Sequence, residues 1–362
     1  MYVLKRCIMY YVLGGNILIH HTRNTAQKQW AETQVLTLSG VARVFNSKRT
    51  LLQSLGDFSK AWSILLEFIE NAALSKNSEV SFSALKSFQE ILYVNVKQNN
   101  EGRVTLSDDI WRISWLVWLK IGTAIKVPQP EKITDDTYIH TQAYLTALIQ
   151  IFPNIFQHIK LNFNIDDLKQ LCKVLTNVVH VPIYGDSSQY MLSNTAEYSL
   201  NILHDGVLQV VDLVQREAIA RNNSKMIPEI LKQYLIFSKF ICNPPVFKID
   251  SKLLKVSPDW ITMNYIPFGE KSLTMAVKLY EKTADNKDII DNNILYDIIE
   301  ALHVPLSLKY DCISNSSWKL ATNSLVTVLK VGLPVARIHG NKFDTMWKQL
   351  AETLNDFLFP KS

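Results

Sequence analysis

Apolar side chains recur at intervals of three to five residues along most of this chain, and that interval is the spacing of one face of an α-helix. Trp30, Val35, Leu38, Ala42 and Phe45 share one such face. Phe58, Trp62, Leu65, Ile69 and Ala73 share the next, and Val80, Ala84, Phe88 and Ile91 a third. Side chains able to cap a first turn or to suit its dipole stand at the starts of these stripes: Asp57, Ser78 with Glu79, Ser107-Asp108-Asp109, and Asn164 with Asp166-Asp167. The segment Ile110–Leu119 carries Trp111, Trp115 and Trp118 and is apolar nearly all round, which predicts a helix buried on several sides. Further helices are expected from Thr137 to Phe152, ended by Pro153, and over 164–180, 193–220 and 224–241. Four more are expected over 269–283, 287–303, 317–333 and 341–359. Pro228 suits a first turn, and Pro244, Pro245, Pro258, Pro267, Pro305, Pro334 and Pro360 read as breaks between helices. Period-two alternation is confined to Leu253–Ile266, the one stretch expected to be extended. The sum is about a dozen helices and essentially no sheet.

Most of the implied connections are short, so successive helices should reverse direction as hairpins. Two helices with their turns fill about 40–50 residues, the length of HEAT and armadillo units. The expected fold class is therefore all-α, an armadillo/HEAT-like α-solenoid of antiparallel helix pairs. Two connections are longer, Lys126–Asp136 and Asn243–Gly269. The second holds Trp260, Tyr265 and Phe268, which would be partner anchors if exposed and would pin the loop to the stack if buried.

Composition narrows the chemistry. Only 11 of 362 residues are glycine, too few to favour the positive-φ loops that cradle phosphate. Neither GxGxxG, GxxxxGK nor GxSxG occurs. The net charge of +5 comes from scattered residues and lacks the basic face of a nucleic-acid binder. Cys7, Cys172, Cys242 and Cys312 are too far apart for a zinc module or a disulfide framework and read as reduced thiols. Met1–Arg6 is basic and Cys7–Ile19 apolar, but no small-x-small cleavage motif follows and the run is shorter than a membrane span.

Pairs that resemble catalytic or metal groups have plainer readings. The histidines beyond His20-His21 stand alone, and HExxH is absent. His204-Asp205 reads as a helix-surface pair rather than a general base with its carboxylate. Asp108-Asp109 and Asp166-Asp167 read as helix starts, and Asp135-Asp136 as adjacent, diverging side chains. The three tryptophans of Ile110–Leu119 read as core rather than as a stacking platform for bases. No catalytic, cofactor-binding or metal residue is expected, and no cofactor.

Several strings resemble a known family. Gln29-Trp30-Ala-Glu-Thr-Gln-Val-Leu-Thr-Leu-Ser-Gly-Val-Ala-Arg-Val-Phe45, then Trp62–Ala73 and Glu79–Glu90, are similar to successive helices of the Mon-two proteins, large scaffolds related to Sec-seven/BIG-type exchange factors for Arf GTPases. Leu333-Pro-Val-Ala-Arg337, Lys342–Leu350 and Asp356-Phe-Leu-Phe359 resemble that family's C-terminal sequence. The likeness runs from about Thr25 to Ser362 and leaves residues 1–24 as a leader outside it, read as a frayed first helix or a gene-model artefact. Within residues 25–362 the pattern suggests sub-blocks near 25–127, 137–243 and 267–360.

The resemblance implies a non-enzymatic scaffold in Golgi–endosome trafficking, lying peripherally on trans-Golgi and endosomal membranes. It implies a Dopey-like protein as partner, with an Arf-family GTPase and a phospholipid flippase as further candidates; the scattered charge speaks for no nucleic acid. It carries over no catalytic residues, because the family lacks the Sec-seven domain. The other readings are a regulatory solenoid of an Arf exchange factor and a HEAT-type cargo adaptor. Set beside that family, the upstream solenoid is missing and the chain stops at Phe359-Pro-Lys-Ser362 where the family continues, so it is expected to be a fragment of something larger, with open solenoid ends.

Overall fold

A computed structural model describes residues 23–93, 108–127, 138–181, 194–245, 258–307, 309, 314–339 and 342–359. Among these residues the chain is all-α: 14 α-helices, two short 3-10 turns and no strand. Their contacts gather into two compact units, one holding the helices up to Ile159 and the other those from Ile165 onward.

In the first unit, α1 (Arg23–Ser47) leads through the short α2 (Arg49–Gln53) into α3 (Phe58–Ala73) and α4 (Ser78–Leu92). These are followed by α5 (Asp108–Thr123) and α6 (Gln142–Ile159). Hydrogen bonds fix how the helices lie. Trp62 Nε1 of α3 donates to the Ile110 carbonyl and to Ser114 Oγ of α5, both at 3.3 Å. Further along the same pair, Lys120 meets Glu70 at 3.3 Å. α3 and α5 therefore run side by side in the same direction. α1 and α4 do likewise, because Asn46 donates to the Glu90 carbonyl at 3.1 Å where both helices end. The pair α5–α6 is antiparallel: Asn162, just past the end of α6, reaches Asp108 at the start of α5. Midway along, Trp118 Nε1 donates to the Leu148 carbonyl at 2.8 Å.

The second unit repeats this plan. It comprises α7 (Ile165–His180), α8 (Asn194–Ala220), α9 (Ile227–Ser238), α10 (Pro258–Thr283), α11 (Lys287–Asp291), α12 (Ile294–Ser307), α13 (Asn315–Ile338) and α14 (Phe343–Leu358). α7 and α9 are parallel neighbours, joined by Gln233 donating to Thr176 and by His180 edge-on to Phe240. α8, α10 and α13 form the other layer, through Lys271–Asp205 at 2.7 Å and through Ser316 and Ser317 donating to Glu270 at 2.9 and 2.8 Å. α12 and α14 extend the first layer. Alternate helices thus stack in parallel and consecutive ones reverse, which is the armadillo/HEAT arrangement within each unit. Stripe residues fill the interior: Trp62, Phe88, Trp115 and Trp118 in the first unit, and Val207, Ile230, Phe237 and Ile298 in the second, are at most 1% exposed.

Prolines depart from their expected places. Pro153, Pro267, Pro305 and Pro334 lie inside α6, α10, α12 and α13 instead of ending helices. A proline leaves the carbonyl four residues back without its N–H and crowds that turn. At Pro267 and Pro334 the residues four back, Met263 and Lys330, are on the exposed side, where water can take over. Pro305 is two residues from the end of its helix, so little helix is lost.

The expected extended stretch Leu253–Ile266 is also corrected: from Pro258 onward it is helical, and residues 246–257 lie outside the described residues. The long Asn243–Gly269 loop shortens accordingly. Tertiary packing decides this. Tyr265 and Phe268 are 1% and 2% exposed, and Tyr265 donates to the Val179 carbonyl at 3.1 Å. Both are therefore core residues and not exposed anchors. The side chain of Trp260, the leader 1–22, Asp135-Asp136, Cys7 and Cys312 lie outside what is described.

Candidate functional site

The acidic pairs do what helix starts need. Asn164 Oδ1 accepts from Asp166 N and Asp167 N at 2.9 and 3.0 Å, while Asp167 returns a bond from Asn164 N at 3.1 Å. This reciprocal capping box occupies Asp167 structurally. Asp108 and Asp109 open α5, with Asp108 accepting from Asn162. Among the described residues no three His, Cys, Asp or Glu side chains gather closely enough to hold a metal ion.

Trp115 and Trp118 stack at 5.3 Å inside the first unit against Phe152. Trp111 lies flat on the His158 ring, centroids 3.6 Å apart, and burial lowers the His158 pKa. None of the three presents a face to solvent, so a base-stacking role is closed to them. Burial pushes the Cys172 thiol up to about 12, which keeps it protonated and unreactive.

His204 departs from its surface reading. Its ring is 3% exposed, stacked on Phe268 at 4.4 Å and edge-on to Tyr265 at 4.7 Å, with neither nitrogen hydrogen-bonded. Burial first, and the Lys271 charge second, depress its pKa to about 3. Asp205 points away to Lys271. The sequence hid this burial because Asp205 advertises an exposed face that its neighbour does not share.

A polar cluster that the sequence did not signal joins α12 to α14. His303 Nε2 meets Asp356 Oδ2 at 3.0 Å, and His303 Nδ1 faces Gln349 and Thr353 at 3.3 and 3.5 Å. Its members are about 50 residues apart in sequence, beyond any local motif. Thr353 is only 1% exposed, so its hydroxyl is not offered to a substrate. The cluster ties two helices together.

What remains outward-facing is surface. Between α1 and α4 an open trough is floored by Val35, Leu36 and Phe82, with Glu32 and Glu79 at one end and Lys86 over the Phe82 ring at the other. A second, between α8 and α10, is lined by Asp205, Gln209, Asp212, Glu270 and Lys271. Leu36, Trp347 and Phe359 are 70%, 51% and 70% exposed. Among the described residues no helix is long and apolar enough to cross a membrane.

Comparison with known proteins adds a family. A profile described as the C-terminal region of Mon2 protein matches residues 11–108 and 103–362. A Protein MON2 homolog of Drosophila melanogaster is 50% identical over 381 aligned residues, taking in 96% of this chain and 23% of that protein. One of Homo sapiens is 43% identical, covering 96% of this chain and 24% of its own length. The Monensin-resistant homolog 2 of Caenorhabditis elegans is 30% identical, with 98% and 24% covered. The chain spans about a quarter of the length of these relatives. Among solved structures, a circular tandem repeat protein covers 99% of the chain at a TM-score of 0.45 and 13% identity, too slight a likeness to argue from.

Proposed function

The chain belongs to the Mon2 family, in that family's C-terminal region, and from this we propose that it is a non-enzymatic scaffold segment in Golgi–endosome trafficking. In this reading it helps recruit a Dopey-like partner to trans-Golgi and endosomal membranes, which it touches peripherally. The family match across residues 11–362 carries the proposal. The physical arrangement is consistent with it: stacked helix pairs within each unit hold their apolar faces inside and offer broad, shallow troughs to partners. Binding spread over such surfaces needs no single pocket, and no catalytic residue is assigned.

The test uses the purified chain beside a full-length relative. Capture of a Dopey-like protein, and flotation with vesicles of Golgi-like composition in its presence, are the expected results. Failure of this chain in both, with the full-length relative positive in both, overturns the assignment to this segment. Accelerated nucleotide release from an Arf-family GTPase by the chain alone would instead favour the exchange-factor reading.

A further inference from the structure

The outer side of α10 and α13 gathers charges that are scattered in the sequence. The two helices lie in parallel within the second unit. At one end Ser316 and Ser317 of α13 donate to Glu270 of α10 at 2.9 and 2.8 Å. Farther along both helices, a Cβ added at Gly332 would stand 2.5 Å from the Tyr280 hydroxyl oxygen. That register sets two rows of cations side by side. Lys271, Lys278 and Lys282 fall on one face of α10, and Lys319, Lys330 and Arg337 on one face of α13. The longer row spans about 27 Å at the rise of an α-helix, and packed helices lie about 8–10 Å apart. All six cations are exposed, whereas Ala276 and Tyr280, and Ala321, Leu325 and Val328, turn the opposite faces into the core.

Little inside the unit neutralises these rows. Lys271 is engaged by Asp205 at 2.7 Å, and Lys319 lies over the Trp318 ring at 5.9 Å. Lys278, Lys282, Lys319, Lys330 and Arg337 form no ion pair among the described residues. The 24 residues of α13 include no Asp or Glu. From Gly269 onward α10 holds two acids, Glu270, which accepts from the two serines, and the exposed Glu281. Asp205 and Asp212 of α8 bound the basic area on the far side of α10. Like charges this close repel one another and draw in a counter-charge. Apolar side chains stand among them: Val326, 64% exposed, lies between Lys319 and Lys330, and Ile338, 79% exposed, follows Arg337.

Cations in two outward rows, with aliphatic side chains beside them, suit a charged plane that has an apolar layer beneath it. We propose that the α10–α13 face docks on an anionic phospholipid surface. Lys278, Lys282, Lys319, Lys330 and Arg337 lie against the acidic headgroups, and Val326 and Ile338 enter the headgroup layer. The inference gives a face to the peripheral membrane contact of the proposed function, and it rests on that reading. No bond is made or broken.

The test pellets the intact chain, with no partner present, on vesicles of phosphatidylcholine and phosphatidylserine at about three to one. Binding is expected to these vesicles and not to phosphatidylcholine alone. It should fall about tenfold between about 0.05 and 0.3 M NaCl, as screening shortens the reach of the cations. Lys330→Gln with Arg337→Gln should weaken binding about 25-fold, at about fivefold for each cation removed. Lys60→Gln with Lys76→Gln takes the same charge from exposed positions of the first unit and should stay within about twofold of the parent. Thermal melts show that both variants are folded. The proposal is overturned if the chain ignores the anionic vesicles or binds the neutral ones equally well. It also fails if the two double variants bind alike; membrane contact through another face or through a partner would then still stand. Retention on immobilised poly-L-glutamate without binding to the anionic vesicles would overturn it in favour of an acidic protein.

Discussion

An imidazole held among Phe268 and Tyr265, with no partner for either nitrogen, is stable only in its neutral form. His204 therefore links the stability of the second unit to pH. Its folded pKa, about 3, lies below the unfolded value of about 6.5. The unfolded chain then binds more protons between those values, so the stabilisation is complete above pH 6.5 and is lost progressively as pH falls below it. The limiting slope is about 1.4 kcal/mol per pH unit. The charged and titratable groups nearest the ring are Tyr265, Lys271 and, turned outward, Asp205. Denaturant unfolding at pH 7.5 and 5.5 should show the parent losing stability at the lower pH. His204→Leu should lose distinctly less, whatever other groups contribute to both proteins, and equal losses would show that His204 is not the linked group. Tryptophans give a second contrast at this scale. Trp62 is 1% exposed and donates to Ile110 and Ser114, so Trp62→Ala should cost about 3–5 kcal/mol. Trp347, 51% exposed, should cost less than about 1 kcal/mol when truncated. Equal shifts in urea midpoint would contradict the placement of Trp62 in the core.

Helices here are started by local chemistry and finished by their neighbours. The Asn164–Asp167 capping box is readable from four successive side chains, because every bond in it is local. Asn164→Ala should lower stability by about 1 kcal/mol, with exchange of the α7 amides rising first. α10 is the opposite case. Pro267 and Gly269 speak locally for a break, yet the helix that starts at Pro258 runs through both, because Tyr265, Phe268 and Ser272 bury one side against α8 and the 3-10 turn at Lys239–Ile241. Proline rules describe one turn of backbone, whereas that burial depends on residues dozens of positions away. Gly269 marks the contact: an added Cβ would lie 2.7 Å from Ile241 Cγ1 and 2.8 Å from its backbone nitrogen. Backbone yields less readily than a flexible side chain, so Gly269→Ala should destabilise by about 1–3 kcal/mol. Gly40, inside α1 with nothing within 4 Å of the added methyl, is the matched control. Gly40→Ala should stabilise by up to about 1 kcal/mol through helix propensity alone. Opposite shifts in melting temperature for two identical chemical changes are expected, and a stabilising Gly269→Ala would refute the close approach of α10 to Ile241.

Across the whole described chain, apolar periodicity carried the fold class, since a stripe every third or fourth residue can be buried only by stacking helix on helix. Helix partners such as Trp62 with Ser114, or His303 with Asp356, stand about 50 residues apart, and no local pattern announces them. The contacts also divide into two compact units, which has an energetic consequence. In stacked helical arrays each element is stabilised by its immediate neighbours, so a lesion should loosen nearby helices before distant ones. Trp62→Phe lies in the first unit and keeps an aromatic ring, while Gly269→Ala lies in the second. Hydrogen exchange at a temperature well below melting should rise in α3 to α5 for Trp62→Phe, with α8 to α10 unchanged. Gly269→Ala should give the reverse, with faster exchange in α8 to α10 and an unaltered α3 to α5. If both variants instead speed exchange evenly over all these helices, the described chain opens as one cooperative body, and the two units are a matter of geometry without a boundary in free energy.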